Sequence, residues 1–233
     1  YCAGIEGACT FLENIFDEIV SLFPADHIHI GGDEAPKKRW KKCPDCQRRA
    51  REQGLDAKDL QVYFTNRIVD HLGKRGKRVI GWSEILQPGL AEDAMVQYWL
   101  PQPKKIIQAI QANRNVLISP ATQVYLDQTY NFISLKDAYV FEPVFAGLSS
   151  REAGYILGLE APLWSEFVWN QSRLDYQVFP RLLAYAETGW TLPQDKDYSD
   201  FEARLRSQLP WMDAMGVAYA PETYWNPSSW RQK

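Results

Sequence analysis

Helical and strand periodicities alternate along this chain, and that alternation limits its fold more than any other feature. Residues 10–23 place Phe11, Leu12, Ile15, Phe16, Ile19, Val20 and Phe23 at helical spacing behind a capping box, Thr10-x-x-Glu13. Pro24 ends that pattern, and 26–30 alternates polar and apolar residues as a strand does. A second helix is predicted at 59–75, with Leu60, Phe64, Ile68 and Leu72 on one stripe and Gly76 closing it. Strands follow at 78–82, 94–99, 116–119 and 155–161, with a helix at 104–113 between the second and third of these. The pattern is lost from 120 to 151, which reads as a long loop. Helices are predicted at 176–188 and at 199–215, the latter behind Ser199-x-x-Glu202, and the tail from Ala220 is irregular. Short apolar strands separated by helices imply parallel pairing with crossovers. Five such strands in 233 residues, with long loops after several of them, fit part of a (β/α)8 barrel of the TIM type, as one domain. A doubly wound open sheet is the alternative. It usually carries a phosphate-binding glycine loop after its first strand, and Gly31-Gly32-Asp33-Glu34 would repel phosphate.

The formal net charge of −3 argues against a general nucleic-acid binder, and no apolar run is long enough to span a membrane. Nine tryptophans and twelve tyrosines can pack a core or stack on sugar faces. The chain opens at Tyr1 without a methionine, which reads as a fragment, so a missing signal peptide says nothing of compartment. Cys43-Pro-Asp-Cys46 is half of a zinc-ribbon pattern. Cys2 and Cys9 do not supply the second half, so a local disulfide or two free thiols explains it more simply than a metal.

The chemistry concentrates at strand ends. His29-Ile30-Gly31-Gly32-Asp33-Glu34 stops a strand with two glycines and follows it with adjacent carboxylates. Adjacent acids repel, so one tends to hold a proton while the other stays charged, a division of labour that glycoside hydrolysis uses. By itself the pair is more simply read as capping the next helix at its positive end, and the string around it is what changes that reading. Trp82, Glu84, Trp99, Tyr125, Asp127, Trp164 and Glu166 also follow predicted strands, and in a barrel such ends meet on one rim. Carboxylates there accept hydrogen bonds from hydroxyls, and rings cover the apolar faces of a sugar. Trp40, an indole in a basic loop at 35–55 with room for a short helix, and Glu84 serve equally as packing or binding residues. Trp99 reads as core or as support behind the site, His29, His27 and His71 as structural or surface residues, and Trp169, Trp190 and Trp211 as helix packing.

His-x-Gly-Gly-Asp-Glu resembles the signature of the family-20 glycoside hydrolases, the β-N-acetylhexosaminidases. Ala35-Pro36 and Trp40-x-x-Cys43-Pro44-x-Cys46-Gln47 resemble bacterial members. Gly81-Trp82-x-Glu84-Ile85, Tyr125-Leu126-Asp127, Glu160-Ala161-Pro162-Leu163-Trp164-Ser165-Glu166 and Phe179-Pro180-Arg181 through Glu187 resemble further family segments, in the right order. The first and last motifs are specific; the middle ones are weak alone. The resemblance implies an exo-acting enzyme that releases terminal β-linked GlcNAc or GalNAc with retention, the substrate's own 2-acetamido oxygen serving as nucleophile. Glu34 would be the acid and base, Asp33 would orient the acetamido group, and Tyr125 would donate to its oxygen. Trp82, Trp164 and Phe64 or Tyr63 would wall the pocket, and Asp127 and Glu166 would bind hydroxyls. No metal or organic cofactor is implied. The substrate would be an amino-sugar glycan, and the bacterial likeness points to a periplasmic, secreted or cell-surface protein.

A complete family barrel has eight strands, and this chain corresponds to about strands 4 to 8. The early strands, an arginine that grips the sugar and a His-Asp pair have no counterpart here. The isolated segment is therefore expected to be inactive or part of a longer chain. Two other readings stay open: a non-catalytic sugar-binding barrel, and a lacto-N-biosidase-like enzyme of the same family that releases a disaccharide.

Overall fold

The computed structural model describes residues 1–226; of the predicted irregular tail, 227–233 lie outside the described residues. Five strands form one sheet in chain order: β1 (His27–His29), β2 (Arg78–Trp82), β3 (Met95–Tyr98), β4 (Val116–Ile118) and β5 (Ile156–Leu159). β1 pairs parallel with β2, Ile28 opposite Val79, and β2 pairs parallel with β3, Gly81 opposite Val96. The fold is part of an α/β barrel, the first of the two architectures that the alternation of elements allowed. The chain divides into two compact units, one of residues 1–98 and 104–116, the other of 99–103 and the residues from 117 onward.

In the first unit, α1 (Glu6–Leu22), α2 (Pro44–Glu52), α3 (Leu60–Gly73) and α4 (Pro103–Gln111) accompany β1 to β3. α3 buries Leu60, Ile68, Val69 and Leu72, and every residue of β3 is buried, as expected of a parallel strand covered on both faces. α1 begins four residues earlier than the pattern of apolar residues suggests. Thr10 therefore lies inside the helix, its hydroxyl donating to Glu6 O, and the predicted capping box does not form. Glu13 instead receives Arg67 of α3 at 2.7 Å. Arg67 and Arg49 also meet Glu6, and these guanidinium groups pull the Glu6 carboxyl down to about 2. Phe11 and Phe23, expected on the buried face of α1, are exposed.

In the second unit, the stretch read as a loop holds three short helices, α5 (Ala121–Val124), α6 (Leu135–Val140) and α7 (Ser150–Ala153). α6 and α7 each start with a capping box, Ser134 with Asp137 and Ser149 with Glu152. The single helix predicted at 176–188 is two, α8 (Gln171–Val178) and α9 (Arg181–Trp190). Pro180 separates them, because it has no N–H for a continuing helix and disfavours helical backbone at Phe179. α10 (Tyr198–Ala214) is capped by Asp197, not Ser199: the Asp197 carboxylate accepts from the N–H groups of Ser199 and Asp200. α11 (Glu222–Trp225) closes the described chain. α6 packs on α9 through Leu135, Ala138 and Tyr139 against Ala184 and Tyr185, and Tyr139 stacks on Phe201 of α10 at 4.7 Å. Trp169, Trp190 and Trp211 are not packing residues within this chain: all three are exposed, Trp190 at 92%, and Trp169 precedes a helix with Arg173 over its ring.

Candidate active site

Because β1 and β2 are parallel neighbours, the residues that follow them emerge at the same end. Ile30 N donates to Ile80 O at 2.8 Å and Trp82 N to Gly31 O at 2.9 Å, so the pairing continues one step past β1. The chain then turns through positive φ at Gly31 (70°), Gly32 (94°) and Glu34 (45°). Gly32 has no room for a side chain: a Cβ there would lie 2.3 Å from Cγ2 of the buried Ile85. Glu34 holds a left-handed backbone without glycine's freedom, at a cost of about 1–2 kcal/mol that the surroundings must offset. Asp33 is half-buried and Glu34 exposed.

His29 packs edge-on against Trp82, ring centroids 4.8 Å apart. Its Nδ1 accepts from Gly31 N at 3.1 Å, so the neutral ring carries its proton on Nε2. Crowding by protein atoms lowers the His29 pKa, although one side of the residue is open to solvent; the Asp33 charge and a hydrogen bond with Gln97 oppose the shift. Two residues that no sequence motif marked, Gln61 and Gln87, hold the turn from below. Gln61 Nε2 donates to Gly32 O at 2.6 Å, and Gln61 Oε1 accepts from Lys37 Nζ and from Gln87 Nε2. Gln87 Nε2 also donates to the carbonyl of Glu84, which sits one residue into the 3₁₀ turn after β2. Burial lowers the Lys37 pKa, and the Glu84 charge counters part of that. Phe64 and Trp40 go elsewhere in this unit: both pack, half-buried, against a cluster built from Ala3, Cys46, Ala50 and Leu60.

The second unit assembles its own group. Leu126 N donates to Pro162 O at 2.7 Å, joining the segment after α5 to the segment after β5. Tyr125 and Trp164 rings lie 6.4 Å apart, and Trp164 N approaches an Asp127 carboxylate oxygen at 3.5 Å. Tyr125 is buried, Asp127 half-buried, Trp164 48% exposed and Glu166 exposed. Trp99, half-buried just past β3, accepts at its carbonyl from Ala121 N. Arg181 anchors the group: fully buried, it donates to Leu126 O at 2.6 Å, Gln177 O at 2.9 Å and Ile133 O at 3.3 Å, and lies over the Tyr130 ring. Gln177 Nε2 donates to Asp127 O at 2.8 Å.

Residues 1–193 match the model of glycosyl hydrolase family 20, catalytic domain. The chain belongs to that family. It is 39% identical over 232 residues to a β-hexosaminidase of Porphyromonas gingivalis, covering 94% of this chain and 30% of that protein. It is 32% identical to a β-N-acetylhexosaminidase of Cellulomonas fimi, covering 92% and 42%. Among solved structures, the exo β-N-acetylglucosaminidase of Vibrio harveyi in complex with N-acetylglucosamine superposes with a TM-score of 0.88 at 34% identity, covering 94% of this chain and 36% of that one. The chain thus spans less than half the length of these relatives.

Proposed function

We propose that the protein carrying this family-20 segment is an exo-acting β-N-acetylhexosaminidase that cleaves terminal β-linked GlcNAc or GalNAc with retention. The reading rests above all on the intact Asp33-Glu34 pair, carried on a turn that Gly31, Gly32 and Gln61 fix at the end of β1.

Glu34 protonates the leaving glycosidic oxygen as the substrate's acetamido oxygen attacks the anomeric carbon from the opposite face. Asp33 accepts the acetamido N–H and balances the positive charge that develops on the resulting oxazolinium ring. Tyr125 donates to the acetamido oxygen and fixes its line of attack. Glu34, now a carboxylate, takes a proton from water, which opens the ring and leaves the anomeric configuration as it began. Trp82 and Trp164 cover the apolar faces of the sugar, and Asp127 and Glu166 accept from its hydroxyls. Trp99 supports the site from the β3 end, while Phe64 and Trp40 belong to the cluster of Ala3, Cys46, Ala50 and Leu60 and touch no sugar.

The test is hydrolysis of an aryl β-N-acetylglucosaminide by the full-length enzyme. Glu34→Gln is expected to lower kcat by roughly 10²–10⁴. Retention of most of the activity would overturn the assignment of the acid.

A further inference from the structure

Three thiols from two distant parts of the sequence converge in the first unit. Cys2 Sγ lies 3.6 Å from Cys43 Sγ and 3.4 Å from Cys46 Sγ, and all three sulfurs fall within 4.8 Å of one another. The contact is built. A Cβ on Gly4 would meet the Asp45 carbonyl carbon at 2.2 Å and Cys46 N at 2.3 Å, so only glycine lets the segment after Cys2 lie against the Cys43–Cys46 turn. Ala3 and Cys46 are buried there, and Trp40, Tyr63 and Phe64 wall the cluster.

We infer that Cys2, Cys43 and Cys46 bind one Zn²⁺ as thiolates, with a water molecule in the fourth position. A tetrahedral zinc with bonds of about 2.3 Å separates its sulfur ligands by about 3.8 Å, close to the spacing seen. A disulfide would draw only two sulfurs to about 2.05 Å and leave the third thiol stranded in the same pocket. Cys2 stands almost equally near both partners, which suits a shared metal. Cys43 and Cys46 also sit at the N-terminus of α2, where the helix dipole favours negative sulfur. Binding releases three thiol protons to solvent and leaves a site of charge −1. The basic run Lys37, Lys38, Arg39, Lys41 and Lys42, immediately before Cys43, complements that charge. The knot also underlies the turn of the candidate site, because Lys37 lies over the Trp40 ring at 5.2 Å and meets Gln61, the residue that holds Gly32 O.

The experiment uses the full-length protein, purified reduced and without chelator. Elemental analysis is expected to give one zinc per chain. Replacement by Co²⁺ should produce a near-ultraviolet sulfur-to-cobalt charge-transfer band. Cys2→Ser and Cys46→Ser should lose zinc and band together, whereas Cys9→Ser, outside the cluster, should keep both. If the serine variants fail to fold, the wild type still decides: zinc should protect three thiols from alkylation, and a chelator should expose those three and lower Tm. Sub-stoichiometric zinc in the reduced, zinc-supplemented protein would overturn the site. So would a native Cys2–Cys43 or Cys2–Cys46 disulfide in non-reducing peptide maps, or unchanged zinc in Cys2→Ser.

Discussion

One methyl group at residue 32 probes how tightly the acidic pair is held. Gly32→Ala meets two penalties at once: an L-residue at φ 94°, and a Cβ 2.3 Å from a methyl of Ile85, itself almost fully buried. The backbone share is about 1–2 kcal/mol, and overpacking adds about 1–3 kcal/mol. Gly54→Ala is the matched control, since Gly54 also has positive φ (65°) but open space where a Cβ would go. Urea unfolding of the full-length protein should show Gly32→Ala less stable by about 2–5 kcal/mol and Gly54→Ala by about 1–2 kcal/mol. Equal losses would mean that Ile85 does not press on the turn. This part of the site was legible in the sequence, because two glycines at a strand end require a tight turn, and the two acids after them must then stand at its tip. Gln61, Arg181 and Gln177 were not. They act on backbone carbonyls, and nothing in a side chain's identity announces which distant carbonyl it will meet.

At the scale of elements, Arg181 at the head of α9 fixes three segments from below. Its guanidinium donates to carbonyls before α6, within α8, and at Leu126, between Tyr125 and Asp127. A lysine keeps the charge but is a single point donor without the planar fork, so it cannot serve all three. Arg181→Lys should destabilise the protein by about 2–4 kcal/mol, as loss of part of a buried charged network does. It should also lower kcat more than it raises KM, because Tyr125 and Asp127 lose their fixed spacing while their own side chains remain. A stability loss with unchanged kcat would make Arg181 a core residue only. The elements themselves were legible where periodicity had room to show: all five strands and the long helices α3, α4 and α10 fall where the pattern put them, to within a few residues. Helices of four to six residues between 120 and 153 offer scarcely more than a turn of pattern; α6 and α7 carry only their capping boxes, Ser134-x-x-Asp137 and Ser149-x-x-Glu152, as a mark, and α5 has no capping side chain at all. The early start of α1 was hidden because Gly7 interrupts the residues that would have signalled it.

At the scale of the molecule, the sheet ends at β1 and β5, and several apolar groups near these ends stay exposed among the described residues. Leu22 and Phe23, before β1, are 66% and 58% exposed, and Leu157 on β5 is 49% exposed. In the second unit a hollow of about 600 Å³ runs along β5 between Val144, Leu157, Leu182, Trp190 and Leu192. Returning one such side chain to an interior contributes about 1.5–3 kcal/mol. Four of them together approach the whole net stability of an ordinary domain, about 5–15 kcal/mol. The matching relatives are more than twice as long as this segment, so a longer chain has the material to cover these groups. Residues 1–233 expressed alone should therefore bind a hydrophobic dye, melt well below the full-length protein and show no hydrolysis of an aryl β-N-acetylglucosaminide. Comparison of the two proteins by dye fluorescence and thermal melting separates the cases. A segment that melts with the full-length protein and leaves the dye dark would show that β5 and the β1 end need no cover, and the stability of the candidate site would then be a property of this segment alone.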